Sequence, residues 1–211
     1  MIFGKRKLDH IVYVVKDLAE ACDHFEALLG VRPVFGGYHP SQGTKNALIS
    51  LGNDQYLELI AIDYDNKKIA APRWMGIDLI QKAQVTRWAI KSDNLVADAA
   101  ILQKANPQLG QIKEGKRQTS NGDLLEWKLL LPLAHPEVEL LPFSIDWGQN
   151  NTHPTNSMDD NCELVELFGY HPKPESITPT LIEMGIDLKI FKAETIKLKA
   201  KINCPNGIVE I

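Results

Sequence analysis

The stretch LDHIVYVV at residues 8–15 decides the fold, because its side chains alternate between two faces. Such alternation predicts a half-buried β-strand. Asp17 then provides a helix N-cap with Glu20 three residues later, and an apolar pattern of helical spacing runs to Gly30. The stretch YLELI at residues 56–60 has the pattern of a further strand. With two strand patterns between the helix and YLELI, the sequence predicts a βαβββ unit.

The same order of patterns recurs twice along the chain. A second copy opens with VTRWAI at residues 85–90, and its predicted closing strand covers residues 137–147 with a bend at Pro142. Repeated units of this kind stack so that neighbours bury a common core. The predicted division is a first βαβββ module at 1–62, a connector at 63–84, a second βαβββ module at 85–148, a linker loop at 149–162 and a third βαβββ-like module at 163–211.

Composition places the chain among ordinary globular proteins. Its 211 residues are 44% hydrophobic and carry a net charge of -4, with no long run of one charge sign. Neither a nucleic-acid partner nor a membrane partner is expected from such a pattern. The three cysteines, Cys22, Cys162 and Cys204, are too few and too scattered for a disulfide framework. Since the N-terminal residues also lack a signal-peptide core, we expect a cytoplasmic protein.

Several stretches together resemble a known family. The two strand patterns of the first unit accompany a helix that ends in LG at residues 29–30. The loop GGYHPSQGTKN at residues 36–46 and the stretch LPFSIDW at 141–147, with HP at 153–154, add more specific matches. In these features the chain resembles glyoxalase-like domain proteins of the vicinal-oxygen-chelate (glyoxalase/bleomycin resistance/dioxygenase) superfamily, over essentially its whole length.

The resemblance implies an α+β fold. In that superfamily tandem βαβββ modules form a curved mixed sheet around a cleft that partly encloses a ligand. We expect the first and second units to pair around this cleft. The third unit then packs on them or on a second chain, because an unpaired sheet edge invites pairing. A homodimer is therefore a hypothesis.

The resemblance also implies a divalent metal in the cleft, with Fe, Mn, Zn and Ni as candidates. Its ligands would be His10 from the first strand and Glu58 from the last strand of the first module. Glu139 aligns with Glu58 in the second module. Arg87 takes the position equivalent to His10, and arginine cannot be a ligand because it stays protonated.

Two points about this site stay open on sequence alone. If the strand near Pro142 is bulged, Asp146 rather than Glu139 faces the cleft. Arg87 either stands apart from a three-ligand metal site or replaces the metal and anchors an anionic substrate group. Without a metal, His10 and Glu58 remain competent as catalytic acid–base groups.

The expected substrate contacts come from two sources. Polar residues of the loop at 36–46 are predicted to form a rim over the cleft, and aromatic residues of the second module are predicted to form its apolar wall. The predicted substrate-binding residues are His39, Thr44, Asn46, Arg87, Trp88, Phe143, Asp146 and Trp147.

Two classes of function follow from these residues. One is a small-molecule enzyme with lyase, isomerase or dioxygenase chemistry on a substrate with vicinal oxygens. The other is a small-molecule sequestering protein of the bleomycin-resistance type, which needs a pocket and no catalytic groups. The inward pair His10 and Glu58 discriminates between them, because a pure binder needs neither residue.

Overall fold

The computed structural model of the chain describes residues 2–3, 5–118, 122, 124–148 and 153–211. These residues form a nine-stranded sheet and a four-stranded sheet. Part of the predicted linker loop, residues 149–152, lies outside the described residues. None of the described helices is long and apolar enough to span a membrane.

The first repeat forms a βαβββ unit, preceded by one short strand. Its elements are β1 Ile2–Phe3, β2 Arg6–Val14, α1 Leu18–Leu29, β3 Val34–His39, β4 Thr44–Ser50 and β5 Tyr56–Ile62. In the sheet these strands lie in the order β3-β4-β5-β2, with β5 parallel to β2 and the other pairs antiparallel. A parallel pair needs a long crossover, which α1 and the β3–β4 hairpin supply.

Helix α1 begins and ends as the sequence predicts. The side chain of Asp17 accepts a hydrogen bond from the N–H of Ala19 at 2.8 Å. Gly30 follows the helix with a φ of 75°, a left-handed conformation that glycine adopts without a steric penalty. Phe25 and Leu29 bury the apolar face against the sheet.

The second repeat has the same topology. Its elements are β6 Gln84–Lys91, α2 Leu95–Ala105, β7 Ile112–Gln118, β8 Leu124–Leu130 and β9 Phe143–Asp146. The strand order β6-β9-β8-β7 repeats that of the first unit, and β6 is parallel to β9. Antiparallel pairing of β2 with β6 joins the two units into one curved sheet.

The closing strand of the second unit is much shorter than predicted. Instead of residues 137–147, β9 covers only Phe143–Asp146. Pro142 has no N–H for a sheet ladder, so the preceding segment takes another course. Side chains hold that segment in place: Arg87 donates to the carbonyl oxygens of Glu137 and His135, the latter at 2.9 Å. Glu139 consequently lies outside the sheet.

The two end strands of the large sheet approach each other and nearly close it into a barrel. The guanidinium of Arg117 on β7 donates to the carbonyl oxygen of Gly36 on β3. Beside it, a Cβ atom on Gly37 would stand 2.7 Å from the carbonyl oxygen of Gln118. Glycine at position 37 therefore permits the close approach of these two edges.

The third repeat has the same order of elements along the chain but a different strand order. Its elements are β10 Glu163–His171, α3 Thr178–Glu183, β11 Lys189–Lys192, β12 Lys197–Cys204 and β13 Gly207–Glu210. The order β11-β10-β12-β13 puts the first strand next to the second and third strands, whereas in the other units the first strand pairs with the last. Pairing with a second chain stays a prediction.

The large sheet buries both of its faces. On one face, Trp88 and Ile11 belong to the larger core, which also contains Leu167, Leu198 and Ile202 of the third unit. The third unit thus packs on the back of the large sheet within the same chain. On the inner face, a smaller core contains side chains such as Val12 and Phe143. The inner face also carries the candidate site.

Candidate functional site

A small buried cavity lies on the inner face of the curved sheet, with a volume of about 40 Å³. Strands from both βαβββ units contribute to its walls. The polar lining comprises His10, His39, Gln42, Asn46, Tyr56, Glu58 and Arg117. The apolar lining comprises Trp74, Trp127, Leu129, Phe143, Ile145 and Trp147.

His10 is held in one orientation by the residue before it. Its Nδ1 lies 2.6 Å from Oδ1 of Asp9, and the Tyr56 ring stacks on the imidazole with centroids 4.7 Å apart. A shift in the β2–β6 register between Leu8 and His10 accompanies this arrangement. Because Nδ1 is hydrogen-bonded to Asp9, the ring presents Nε2 to the cavity.

Asp9 is the centre of a buried hydrogen-bond network. Its Oδ2 accepts from Nε1 of Trp147 at 2.8 Å and lies 3.2 Å from Nε2 of His153. Burial alone raises the pKa of Asp9, but the hydrogen bonds from His10 and His153 outweigh it and hold the pKa well below its usual range. The carboxylate therefore stays ionised and fixes the imidazole of His10.

Glu58 faces His10 from the neighbouring strand β5. Its Oε2 lies 3.9 Å from Nε2 of His10, and its Oε1 accepts a hydrogen bond from Nδ2 of Asn46 at 2.6 Å. Glu58 is buried, with 7% of its surface exposed. Two independent hydrogen bonds, one from Asn46 and one to Asp9, therefore orient a carboxylate and an imidazole toward each other.

His39 also lines the cavity but has a different environment. Its Nδ1 lies 3.0 Å from Oγ1 of Thr44, which is fully buried and does not line the cavity. Burial lowers the pKa of His39 from 6.5 to about 4, although the charge of Glu58 raises it in part. At neutral pH, His39 is an uncharged group in the wall.

The buried state of His39 predicts a loss of stability at mildly acidic pH. Between pH 6.5 and about 4 the unfolded chain binds a proton that the folded chain does not, so the free energy of unfolding decreases as pH falls through this window. Across the full window the free energy of unfolding should decrease by about 3 kcal/mol. Urea unfolding should show this loss for the wild type and a flatter profile for His39→Gln, since glutamine does not titrate.

His24→Gln is the matched control, because His24 is an exposed histidine on α1. We expect it to retain the pH profile of the wild type. Identical profiles for His39→Gln and the wild type would contradict the expectation.

Arg117 lines the cavity although the sequence did not single it out. It is 5% exposed, and burial lowers the pKa of its guanidinium, while Tyr56 and Glu58 raise it. Its inward position could have been found only from the alternation in the β7–β8 hairpin. Leu125 and Trp127 form the apolar face of β8, and Arg117 pairs with Leu125 on that face. In other respects the sequence does not distinguish Arg117 from the exposed lysines near it.

The structure places the aromatic candidates on different faces of the sheet. Phe143 and Trp147 line the cavity. Trp88 lies instead in the larger core, where its Nε1 donates to the carbonyl oxygen of Leu140 at 3.0 Å. The alternation of β6 puts Trp88 opposite Ile11, on the face away from the cleft. Asp146 does not line the cavity.

Arg87 and Glu139 form a separate cluster. The Nε of Arg87 lies 3.4 Å from Oε2 of Glu139, and His135 Nε2 lies 2.9 Å from Oε1 of the same carboxylate. Burial raises the pKa of Glu139, and the charge of Arg87 offsets part of this effect. Because Arg87 is occupied by this carboxylate and by backbone carbonyls, neither residue joins His10 and Glu58.

The residues present do not fit the three-ligand metal site of His10, Glu58 and Glu139 that was predicted from the resemblance. Among the residues that the structure describes, no group of three or more His, Cys, Asp or Glu side chains could hold a metal ion. In the first unit Val12 of β2 pairs with Glu58 of β5. The equivalent pair in the second unit is Ala89 with Phe143, so a phenyl ring takes the position of the second carboxylate ligand. Arg87 takes the position of the histidine ligand in the second unit. Two ligands therefore remain.

Two tryptophans separate the cavity from a larger open depression. Trp127 and Trp147 line both, with ring centroids 5.5 Å apart. The depression has a volume of about 570 Å³ and includes Lys116, Glu126 and Asp146. A cavity of about 40 Å³ admits only a few atoms, so a substrate would place its reacting end inside and its remainder in the depression.

Comparison with solved structures finds several that are similar to this chain. A hypothetical protein from Staphylococcus aureus has a TM-score of 0.67 and 16% identity, over 91% of this chain and 88% of that chain. Methylmalonyl-CoA epimerase from Mycobacterium tuberculosis has a TM-score of 0.44 and 20% identity, over 68% and 89% of the two chains. A hypothetical protein from Bacillus halodurans has a TM-score of 0.44 and 18% identity, over 70% and 99%. The likeness to the first of these, at 16% identity, shows the fold alone.

Comparison of the sequence with known families gives a direct assignment. None of the curated proteins compared with this chain matches it. The family model described as glyoxalase-like domain matches residues 8–185, which is most of the chain. The chain therefore belongs to the glyoxalase-like domain family.

Proposed function

We propose that this protein is a small-molecule enzyme that moves a proton on a carbon next to a carbonyl group, as an isomerase or a lyase. The observation that carries the proposal is the facing pair of Glu58 Oε2 and His10 Nε2, 3.9 Å apart in a buried cavity. Asn46 and Asp9 fix the two partners separately. Positioned acid–base groups of this kind contribute about 10² to 10⁴ in rate.

The proposed reaction uses one proton transfer at each residue. Glu58 accepts the proton from the carbon, and the electron pair of that C–H bond forms a carbon–carbon double bond. The carbonyl oxygen takes the displaced π pair and receives the Nε2 proton of a doubly protonated His10, which gives an enol and leaves a neutral His10 with its Nδ1–H on Asp9. Return of a proton to carbon completes an isomerisation, whereas loss of a group from the next carbon completes an elimination.

Chain residues other than this pair support the proposal by shielding it from water. Tyr56 stacks on His10, and Phe143 meets the same imidazole edge-to-face at 5.3 Å. Such an environment strengthens electrostatic interactions with a developing charge. Dioxygenase chemistry would require metal ligands at positions that Arg87 and Phe143 occupy, so we favour proton transfer.

The experiment that tests the proposal follows proton exchange without requiring the natural substrate. The protein is incubated in deuterated water with 2-oxo acids, hydroxyketones and acyl thioesters, and loss of the C–H signal next to each carbonyl is followed by proton NMR. We expect catalysed exchange on at least one class of compound and its loss in His10→Asn. Exchange at the uncatalysed rate throughout would contradict the proposal.

A second candidate function is sequestration of a small molecule. It is favoured by the loss of the two ligand positions at Arg87 and Phe143, which a binder does not need. Under this alternative a compound binds in the cavity and Glu58→Gln leaves its affinity unchanged, with no exchange in either protein.

A further inference from the structure

Two hydrogen-bond donors from one hairpin line the same cavity as Glu58. Arg117 on β7 and Trp127 on β8 point inward from the same hairpin, and both line the cavity. Arg117 pairs with Leu125 and Trp127 pairs with Gly115, so the two side chains are diagonal neighbours on one face. Gly115 lets the indole lie across β7, because a Cβ atom there would meet the Trp127 ring.

Arg117 is the cation of this wall. No lysine or other arginine is present among the described residues that line the cavity. A guanidinium carries five N–H donors, of which one donates to the carbonyl oxygen of Gly36. The planar fork of arginine suits a carboxylate better than any other anion-binding side chain.

Trp127 supplies an independent sign of a missing acceptor. Its side chain is 8% exposed, and no described protein atom accepts a hydrogen bond from its Nε1. Buried indole N–H groups usually have a partner, because an unpaired donor costs free energy. A ligand oxygen bound beside Arg117 would complete both groups.

We propose that Arg117 and Trp127 form a subsite for the carboxylate of the substrate, so that the substrate is a 2-oxo acid or a related small organic acid. This inference rests on the proposed function, since it names the substrate class of the same site. The charge of Arg117 also offsets the repulsion that Glu58 would exert on a bound anion. The carboxylate at one wall leaves the adjacent carbonyl between His10 and Glu58.

The test compares pyruvate with pyruvamide, which has nearly the same shape and no charge. Dissociation constants are measured by NMR titration, and methyl-proton exchange in deuterated water is followed in the same samples. We expect the wild type to bind pyruvate at least about tenfold tighter than pyruvamide, since a charge-assisted contact is worth a factor of this order. Arg117→Gln should remove the preference, Arg117→Lys should keep part of it, and Trp127→Phe should weaken pyruvate binding severalfold.

Arg32→Gln is the matched control, because Arg32 is exposed and pairs with Asp23 and Glu26 at the surface. It should behave as the wild type. The subsite is wrong if pyruvamide binds as tightly as pyruvate, if neither binds, or if Arg117→Gln weakens both equally. Where Arg117→Gln does not fold, Trp127→Phe decides, and unchanged pyruvate binding overturns the proposal.

The two proposals fail in different ways. Preference for pyruvate without any exchange supports the subsite and contradicts proton transfer. Exchange on pyruvamide as fast as on pyruvate supports proton transfer and contradicts the subsite. Glu58→Gln should lose exchange and keep the preference, because glutamine leaves the Arg117 wall intact.

Discussion

Replacing Glu58 with glutamine is expected to reduce proton exchange at the carbon next to a substrate carbonyl by about 10² to 10⁴-fold. Glutamine has the same shape and still accepts the hydrogen bond from Asn46, but it cannot take a proton from carbon. The cavity should therefore keep its form while the base is lost. The measurement is proton NMR in deuterated water, with circular dichroism to verify the fold.

Glu210→Gln is the control for this prediction. Glu210 is an exposed glutamate on β13 of the third unit, and its replacement removes the same charge away from the cavity. We expect it to exchange protons at the wild-type rate. Equal rates in Glu58→Gln and Glu210→Gln would show that Glu58 is not the base.

The second large effect concerns stability. Arg87→Met is expected to lower the free energy of unfolding by about 3 to 5 kcal/mol, because it removes the arginine of a largely buried ion pair and the donor of two carbonyl oxygens. Glu139 would keep only its contact with His135, and the carbonyl oxygens of His135 and Glu137 would lose the guanidinium as a donor. Urea unfolding at neutral pH measures the change.

Two further variants make this prediction specific. Arg32→Gln removes an exposed ion pair and should leave the free energy of unfolding almost unchanged. The double variant Arg87→Met with Glu139→Leu should recover part of the loss, because the carboxylate that lost its arginine is also removed. If Arg87→Met unfolds no more easily than Arg32→Gln, the cluster does not hold the segment before β9.

The first unit could be predicted closely from sequence because local signals agree there. The alternation in β2, the cap at Asp17 and the glycine at position 30 each specify one boundary, and the structure confirms them. The pair His10 and Glu58 follows from the same register, because both face the inner side of adjacent parallel strands. The alternation predicted a half-buried strand, however, and the structure buries both faces of β2 because the third unit covers the back of the sheet.

The second unit was harder because its closing strand is set by long-range contacts. Residues before Pro142 look like a strand in sequence, yet the side chains of Arg87 and Trp88 bind their carbonyl groups. Alignment of Glu139 with Glu58 relied on that strand. The observed register instead gives Phe143 that position. Arg117 was missed for the same reason, because its burial depends on the approach of β3 to β7.

The third unit shows a further limit of pattern reading. Its elements occur in the predicted order, but β10 pairs with β11 and β12, whereas β2 of the first unit pairs with β5. Strand order is a tertiary property that alternation does not encode. Its apolar face packs on the main sheet through Leu167 and Leu198.

The central claim is that His10 and Glu58 transfer protons by themselves. Its most direct test measures exchange of pyruvate and the other carbonyl compounds by protein dialysed against a chelator, before and after addition of Zn²⁺, Mn²⁺, Ni²⁺ or Fe²⁺. We predict catalysed exchange in the dialysed protein, no increase with any metal, and loss of exchange in Glu58→Gln. Exchange that appears only after addition of a metal would contradict the claim, because it would make the two residues ligands and not the acid–base pair.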